Sequence, residues 1–273
     1  MSRNELSRRS FLAASAAAVA GLASLRAAEG PYRIGVETYC FHDVDLPTAV
    51  THTKGLGLRY FELHDGHLPF KAPAGEIEKA KRLMGDAGIQ PVGVYIHDAF
   101  TVEEAVARPI FEYAKRVGFS YITGAPSRES LPVLARMVKE YGIQAAIHNH
   151  GPQARYDTLE DVTSVLESYP NLTAVVDIGH FARSKVDPVR AIRAIGSRSI
   201  AIHVKDVDAA GENMVVGEGL IDMPGVFRAL AETKFGGLMV LEYEGDFDDM
   251  QARLAGMRKS LANMHRFIAE ATP

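Results

Sequence analysis

From Tyr32 onward the chain alternates, eight times over, between a short apolar run and an amphipathic one. The apolar runs are RIGVETYC, RYFELH, PVGVYIH, SYITGA, QAAIH, TAVVDI, SIAIHVK and LMVLEYE. Segments of helical period follow them, among them GEIEKAKRLMGDAG, VEEAVARPIFEYAKRVG, SLPVLARMVKEYG, TLEDVTSVLESY, DPVRAIRAIG and MPGVFRALAETKFG. Several end at Gly, the residue that lets a chain leave a helix in a left-handed turn. Asp222, two residues ahead of Pro224, gives the matching start signal. Strands this apolar cannot face water, so they predict a parallel sheet covered by helices. Eight such units close as a (β/α)8 barrel. An open doubly wound sheet would carry a glycine fingerprint after its first strand, and VETYCFHDVD stands there instead. With 273 residues and 47% apolar content, the chain can fill the core of one barrel. The expected fold class is α/β, a single (β/α)8 barrel over residues 29–273 with no second domain.

Residues 1–28 read differently. SRRSFLAASAAAVAGLASL places Arg8-Arg9 ahead of an apolar stretch of small residues from Phe11 to Leu25, with Arg26, Ala27 and Ala28 behind it. That pattern predicts a twin-arginine signal peptide, with the twin-arginine export machinery as partner and the periplasm as destination. The apolar run is too short and alanine-rich to span a bilayer well, so no stable membrane association is expected after cleavage. Removing Arg3, Glu5, Arg8, Arg9 and Arg26 leaves 26 basic and 33 acidic residues, a net charge of −7. Such a balance does not suit nucleic acid.

Cys40 is the only cysteine, so any metal must be held by His, Asp and Glu. Barrel enzymes carry their sites at the carboxyl ends of the strands. Of the ten histidines, eight are predicted on that rim: His42, His64, His67, His97, His148, His150, His180 and His203. Asp177, Glu242 and Glu62 join them. A carboxylate beside apolar strand residues is costly unless paired or metal-bound. Strand alternation groups Asp177 with Val175, His203 with Ala201 and Glu242 with Val240, so each can point inward. His148, Asp177, His203 and Glu242 would then meet from four adjacent strands. Two nitrogens and two oxygens suit a catalytic divalent cation. Lys205 shares the face of His203 and is a candidate proton donor or sugar ligand, and His180 a candidate catalytic residue that reaches substrate or metal. Glu62, His64 and His97 suit hydroxyl recognition. Asn149 and His150 are candidates for holding the metal ligand or the substrate, and the loop around Glu218 for closing over the site.

DIGH, HVKD, GEG and LEYEG resemble, in the same order, the xylose-isomerase-like barrels, the superfamily of sugar phosphate isomerases, epimerases and inosose dehydratases. The resemblance runs from about Tyr32 to the end. It implies one divalent metal, manganese first and zinc, cobalt or iron as alternatives, held by Glu, Asp, His and Glu from strands five to eight. The last three correspond to Asp177, His203 and Glu242. At the first position this chain has His148 where the epimerases have Glu. In those relatives the two metal-bound glutamates serve opposite faces of the sugar, whereas here Glu242 alone remains as such a base. The expected reaction is proton abstraction beside the carbonyl of a sugar or keto-sugar, giving an enediolate. Reprotonation makes an isomerase or epimerase, and loss of a β-substituent makes a lyase or dehydratase. An endonuclease IV-like metallohydrolase shares the barrel, but the acidic chain and export signal argue against DNA. A non-catalytic sugar-binding barrel would want stacking platforms; Tyr39, Phe41, Tyr95 and Phe100 are available, but the intact quartet argues for catalysis. No Arg cluster marks a phosphate site, which favours a neutral or keto-sugar.

Overall fold

The computed structural model describes residues 32–96, 102–246 and 248–271. The twin-arginine segment, its cleavage region, His97 and Phe100 lie outside the described residues. Internal contacts divide the chain into Met1–Arg33 and Ile34–Pro273, and the second unit holds the barrel.

Eight parallel strands close on themselves. They are β1 (Arg33–Glu37), β2 (Tyr60–His64), β3 (Gln90–Tyr95), β4 (Tyr121–Gly124), β5 (Gln144–His148), β6 (Thr173–Asp177), β7 (Ser199–Val204) and β10 (Leu238–Leu241). The order around the barrel follows the chain, with β10 closing between β7 and β1. Alternate residues of these strands fill the interior, where Val92, Tyr121, Ala146, Val175, Ala201, Leu238 and Val240 pack as one buried cluster. The crossover helices are α1 (Leu46–Gly55), α2 (Ala74–Ala87), α3 (Glu104–Val117), α4 (Leu131–Tyr141), α5 (Leu159–Ser168), α7 (Pro188–Ile195) and α8 (Met223–Glu232), with α9 (Met250–Ala271) last. No described helix is long and apolar enough to cross a membrane.

The helix boundaries follow from local chemistry. Asp45, Thr158, Asp187 and Asp222 each accept a hydrogen bond from a first-turn backbone N–H, and Thr158 and Asp161 complete a reciprocal capping box. Gly88, Gly118 and Gly142 end α2, α3 and α4 at φ of 74°, 100° and 69°. Arg253 of α9 is fully buried and reaches back to Asp43 at 2.6 Å and the Cys40 carbonyl at 3.1 Å, fixing the last helix to the first strand–helix loop.

Two features depart from the expected pattern. A small antiparallel hairpin, β8 (Asp206–Val207) with β9 (Asn213–Met214), follows β7. The residues after Asp177 form a short helix, α6 (Ile178–Arg183), so His180 stands on a helix rather than in a loop. Asp177 starts that helix itself, accepting the His180 N–H through Oδ1 at 2.7 Å.

Candidate active site

The strand register brings the ligand candidates together. Asp177 pairs with His203 across β6 and β7, and His203 pairs with Val240 across β7 and β10. His148 ends β5, and Glu242 directly follows β10. One ligand atom from each of His148, Asp177, His203 and Glu242 lies within 4.8 Å of the others. His203 Nδ1 stands 2.8 Å from Glu242 Oε2, 3.2 Å from His148 Nε2 and 3.9 Å from Asp177 Oδ2.

His203 is oriented from behind. Its Nε2 donates to Glu62 Oε1 at 2.7 Å, and the other Glu62 oxygen accepts from the Tyr121 hydroxyl. A carboxylate only accepts, so this contact fixes the proton on Nε2 and turns Nδ1 toward the quartet, as outer carboxylates do for ligand histidines. Tyr121 reaches Glu62 over a bare backbone, since a Cβ on Gly93 would come within 2.1 Å of the phenol ring. Glu62 is therefore buried beneath His203 with both oxygens engaged, away from the cavity where hydroxyl recognition would place it.

Electrostatics follow from burial. Desolvation opposes a charge on His203, but Glu62 and Glu242 outweigh it and hold the imidazole well above its usual pKa. Burial, with His203 next, pushes His148 well below the histidine range, so it is neutral. Burial lifts the Asp177 carboxyl to about 7. Burial also opposes ionisation of Glu242, yet Lys205 and His203 hold that carboxyl well below the usual range. Lys205 is itself buried; desolvation is overcome by Asp177, Glu242 and Glu244, which keep it charged. Its Nζ lies 2.9 Å from Glu242, 3.1 Å from Glu244 and 3.3 Å from Asp177.

This donor set fits a divalent cation. Glu37, Glu62, Asp177 and Glu242 are all buried around the quartet, where Lys205 is the one buried ammonium group among the described residues. Asp177 Oδ2 is buried and accepts no hydrogen bond; its neighbours are the Lys205 ammonium at 3.3 Å and His180 Nε2 at 3.7 Å. Asp177 Oδ2, His203 Nδ1 and neutral His148 face one another, and a cation that displaces the Nδ1 proton would take all three as ligands. His148 Nδ1 lacks a second partner among the described residues, so Glu62 has no counterpart on that side.

A cavity of about 130 Å³ opens over the quartet, lined by Glu37, Tyr39, His64, Tyr95, His148, His150, His180, Glu242 and Glu244. His64, His150 and His180 thus face the cavity. His150 and His180 stack with ring centroids 3.7 Å apart, and Arg183 lies 3.3 Å from His180 Nδ1. That contact leaves Nε2 toward Asp177 at 3.7 Å. Burial first, and Lys205 next, lower the pKa of both rings. Asn149 does not face a ligand: its amide bonds both the N–H and the carbonyl of Asp177 at 2.8 Å, clamping β5 to β6. Phe41 is fully buried and lies in the core, leaving Tyr39 and Tyr95 as the aromatic wall. Glu218 pairs with Lys259 of α9, and Asp206 accepts from Gly217, Gly219 and Ile221, so the loop expected to close over the site is held by its own backbone.

Reading the sequence for function missed Glu37 and Glu244. Glu37 sits at the end of β1 inside RIGVETYC, where position on the rim was the one available signal. Burial raises its carboxyl well above the usual range, with Glu242 adding to the effect. Glu244 follows β10 and is joined to Lys205, to Asn213 of the hairpin at 3.2 Å and to Arg183 at 3.8 Å. A larger groove of about 630 Å³ beside the hairpin includes Asp187 and Asp222, but these cap α7 and α8.

The fold is a closed (β/α)8 barrel whose carboxyl-terminal rim carries a buried His/Asp/Glu cluster that could hold a metal ion. The family model for xylose isomerase-like TIM barrels matches residues 50–266, and the chain belongs to that family. The rhizopine catabolism protein MocC of Rhizobium meliloti is 28% identical over 183 residues, covering 60% of this chain and 55% of that protein. An inosose dehydratase of Clostridium tetani is 25% identical over 166 residues, covering 54% of this chain and 55% of its own. The chain thus spans about half the length of these two relatives. The structure of a D-psicose 3-epimerase from Clostridium cellulolyticum H10 shares the fold, with a TM-score of 0.72, 15% identity, and coverage of 86% of this chain and 99% of that one.

Proposed function

We propose that this chain is a divalent-metal-dependent enzyme that moves a proton at the carbon beside the carbonyl of a sugar or keto-sugar, as an isomerase or epimerase does. The observation that carries this reading is the buried convergence of His148, Asp177, His203 and Glu242 beneath a cavity lined by polar side chains. Those four would hold the cation, with manganese first, as the family resemblance implies. When bound, it polarises a carbonyl and stabilises negative charge on oxygen.

The remaining steps belong to the side chains. Glu242 is ionised and serves as the base. Its Oε2 lies in the quartet while Oε1 faces the Lys205 ammonium at 2.9 Å, so a proton arriving on Oε1 has a charged neighbour that favours its return. His180 and His150 close the opposite rim and bind substrate oxygens. Neutral His148 supplies no second carboxylate base, which favours transfer on one face. A second reading, β-elimination by a dehydratase, uses the same abstraction followed by loss of a hydroxyl. The likeness to the inosose dehydratase favours it.

Two further elements support a sugar as substrate. Lys205 and Arg183 are spent on carboxylates, so neither cation is left to bind a phosphate. The twin-arginine pattern at Arg8-Arg9 supports export to the periplasm. The direct test incubates the metal-loaded protein in D2O with inosose, D-fructose and D-tagatose and follows carbon-bound deuterium by NMR. Label beside the carbonyl that disappears with chelator is expected. Absence of label from all three with manganese bound contradicts the reading.

A further inference from the structure

Glu37 is the cavity group that no part of the quartet explains. It ends β1, level with Glu62 of β2 in the strand register, and is 3% exposed. It has no hydrogen-bond partner among the described residues. Its nearest positive neighbour is His203 Nδ1 at 3.7 Å, beyond hydrogen-bond range. Glu37 also stands outside the quartet, since its carboxylate groups only with Glu62 and His203. Both Glu62 oxygens are taken by His203 and Tyr121, whereas those of Glu37 remain open toward the cavity. A buried carboxyl left without partners is costly, so folds keep one where a ligand satisfies it.

The surroundings define that ligand. On one side is the quartet. On the other, the Tyr39, His64 and Tyr95 rings form a wall, with His64 and Tyr95 stacked at 6.0 Å and 10° and Tyr39 5.1 Å from His64. Ring faces accept the C–H surface of a sugar, and a carboxyl between them and the quartet is placed to take hydroxyl groups. Glu244, which lines the same cavity, is already held by Lys205 and Asn213 and is not available for this.

We infer that Glu37 is a substrate-binding residue that accepts one or two hydroxyl hydrogens of the sugar and sets its register over the quartet. This rests on the proposed sugar-directed function. Glu37 selects for a polyol face at that position, because its buried carboxyl takes hydroxyl partners and the surrounding carboxylates disfavour an added anion.

The test uses the full chain loaded with manganese, with Mn²⁺ affinity read by EPR titration and binding of inosose, D-fructose and D-tagatose by ligand-observed NMR. Glu37→Ala is expected to weaken whichever sugar the parent protein binds by at least about tenfold, the scale of one charged hydrogen bond, while Mn²⁺ affinity changes by less than about threefold. Glu37→Gln keeps an acceptor oxygen and the side-chain shape, and is expected to recover part of the loss. Sugar affinity unchanged in both variants overturns the assignment, as does a parallel fall in Mn²⁺ affinity, which would make Glu37 a group serving the cation. A parent protein that binds manganese but none of the three sugars overturns the sugar reading and the Glu37 assignment with it. Sugar binding that survives Glu37→Ala overturns the assignment alone.

Discussion

Glu242 uses its two oxygens differently, Oε2 against His203 Nδ1 at 2.8 Å and Oε1 against Lys205 at 2.9 Å. Glu242→Gln keeps an oxygen for the cluster and removes the base, so turnover is expected to fall by at least ~100-fold, with the variant still folded by circular dichroism. Turnover within a few-fold of the parent would assign the base elsewhere. The quartet also sets a pH dependence whose sign can be worked out. In the metal-free protein Asp177 holds its proton up to about pH 7 and His203 holds its own still higher, while His148 is already neutral. Metal binding must displace the first two protons. Manganese affinity should therefore rise with pH as Asp177, near pH 7, and His203 release their protons. Calorimetric titrations at pH 6, 7 and 8 read this directly, and a pH-independent affinity contradicts the ligand assignment.

At the scale of elements, the β3–β4 contact supports the ligand histidine from below. Gly93 leaves room for Tyr121, Tyr121 holds Glu62, and Glu62 orients His203. Gly93→Ala forces the phenol away, with an expected loss of about 1–3 kcal/mol from overpacking and a weaker grip on manganese. Thermal melting and metal titration of this variant check both, and unchanged behaviour in the two would disconnect Gly93 from the site. The barrel strands and most helices were legible because periods of two and 3.6, aspartate starts and glycine ends agree along the chain. The β8–β9 hairpin was not, because two-residue strands carry no period. Helix α6 was hidden because DIGH runs on from an apolar strand and its cap, Asp177, doubles as a ligand candidate. The ligand candidates could be read from strand alternation, which depends only on neighbours in sequence. The partners of Lys205 could not, since its carboxylates come from β6 and from beyond β10. Glu37 escaped for a related reason. One acid at a strand end looks like a solvated terminus until the closed barrel buries it.

For the whole molecule, the closed barrel sets side chains from β5, β6, β7 and the residue after β10 on one rim. The acidic balance and the Arg8-Arg9 pattern bear on where the folded molecule works. The twin-arginine route carries folded proteins, so metal could be loaded before export. Replacing Arg8 and Arg9 with lysines is expected to hold the protein in the cytoplasm, as fractionation and immunoblotting would show; periplasmic recovery equal to the parent's would contradict the export assignment. The central claim concerns the proton. Its most direct test is the stereochemistry of solvent-deuterium incorporation by the manganese-loaded protein acting on the keto-sugar it turns over. Predicted is label on one face of the carbon beside the carbonyl, or a β-elimination product, lost on chelation and in Glu242→Gln. Efficient interconversion of two epimers with deuterium delivered to both faces would contradict the one-base reading, and would require Lys205 or His180 to supply the second proton.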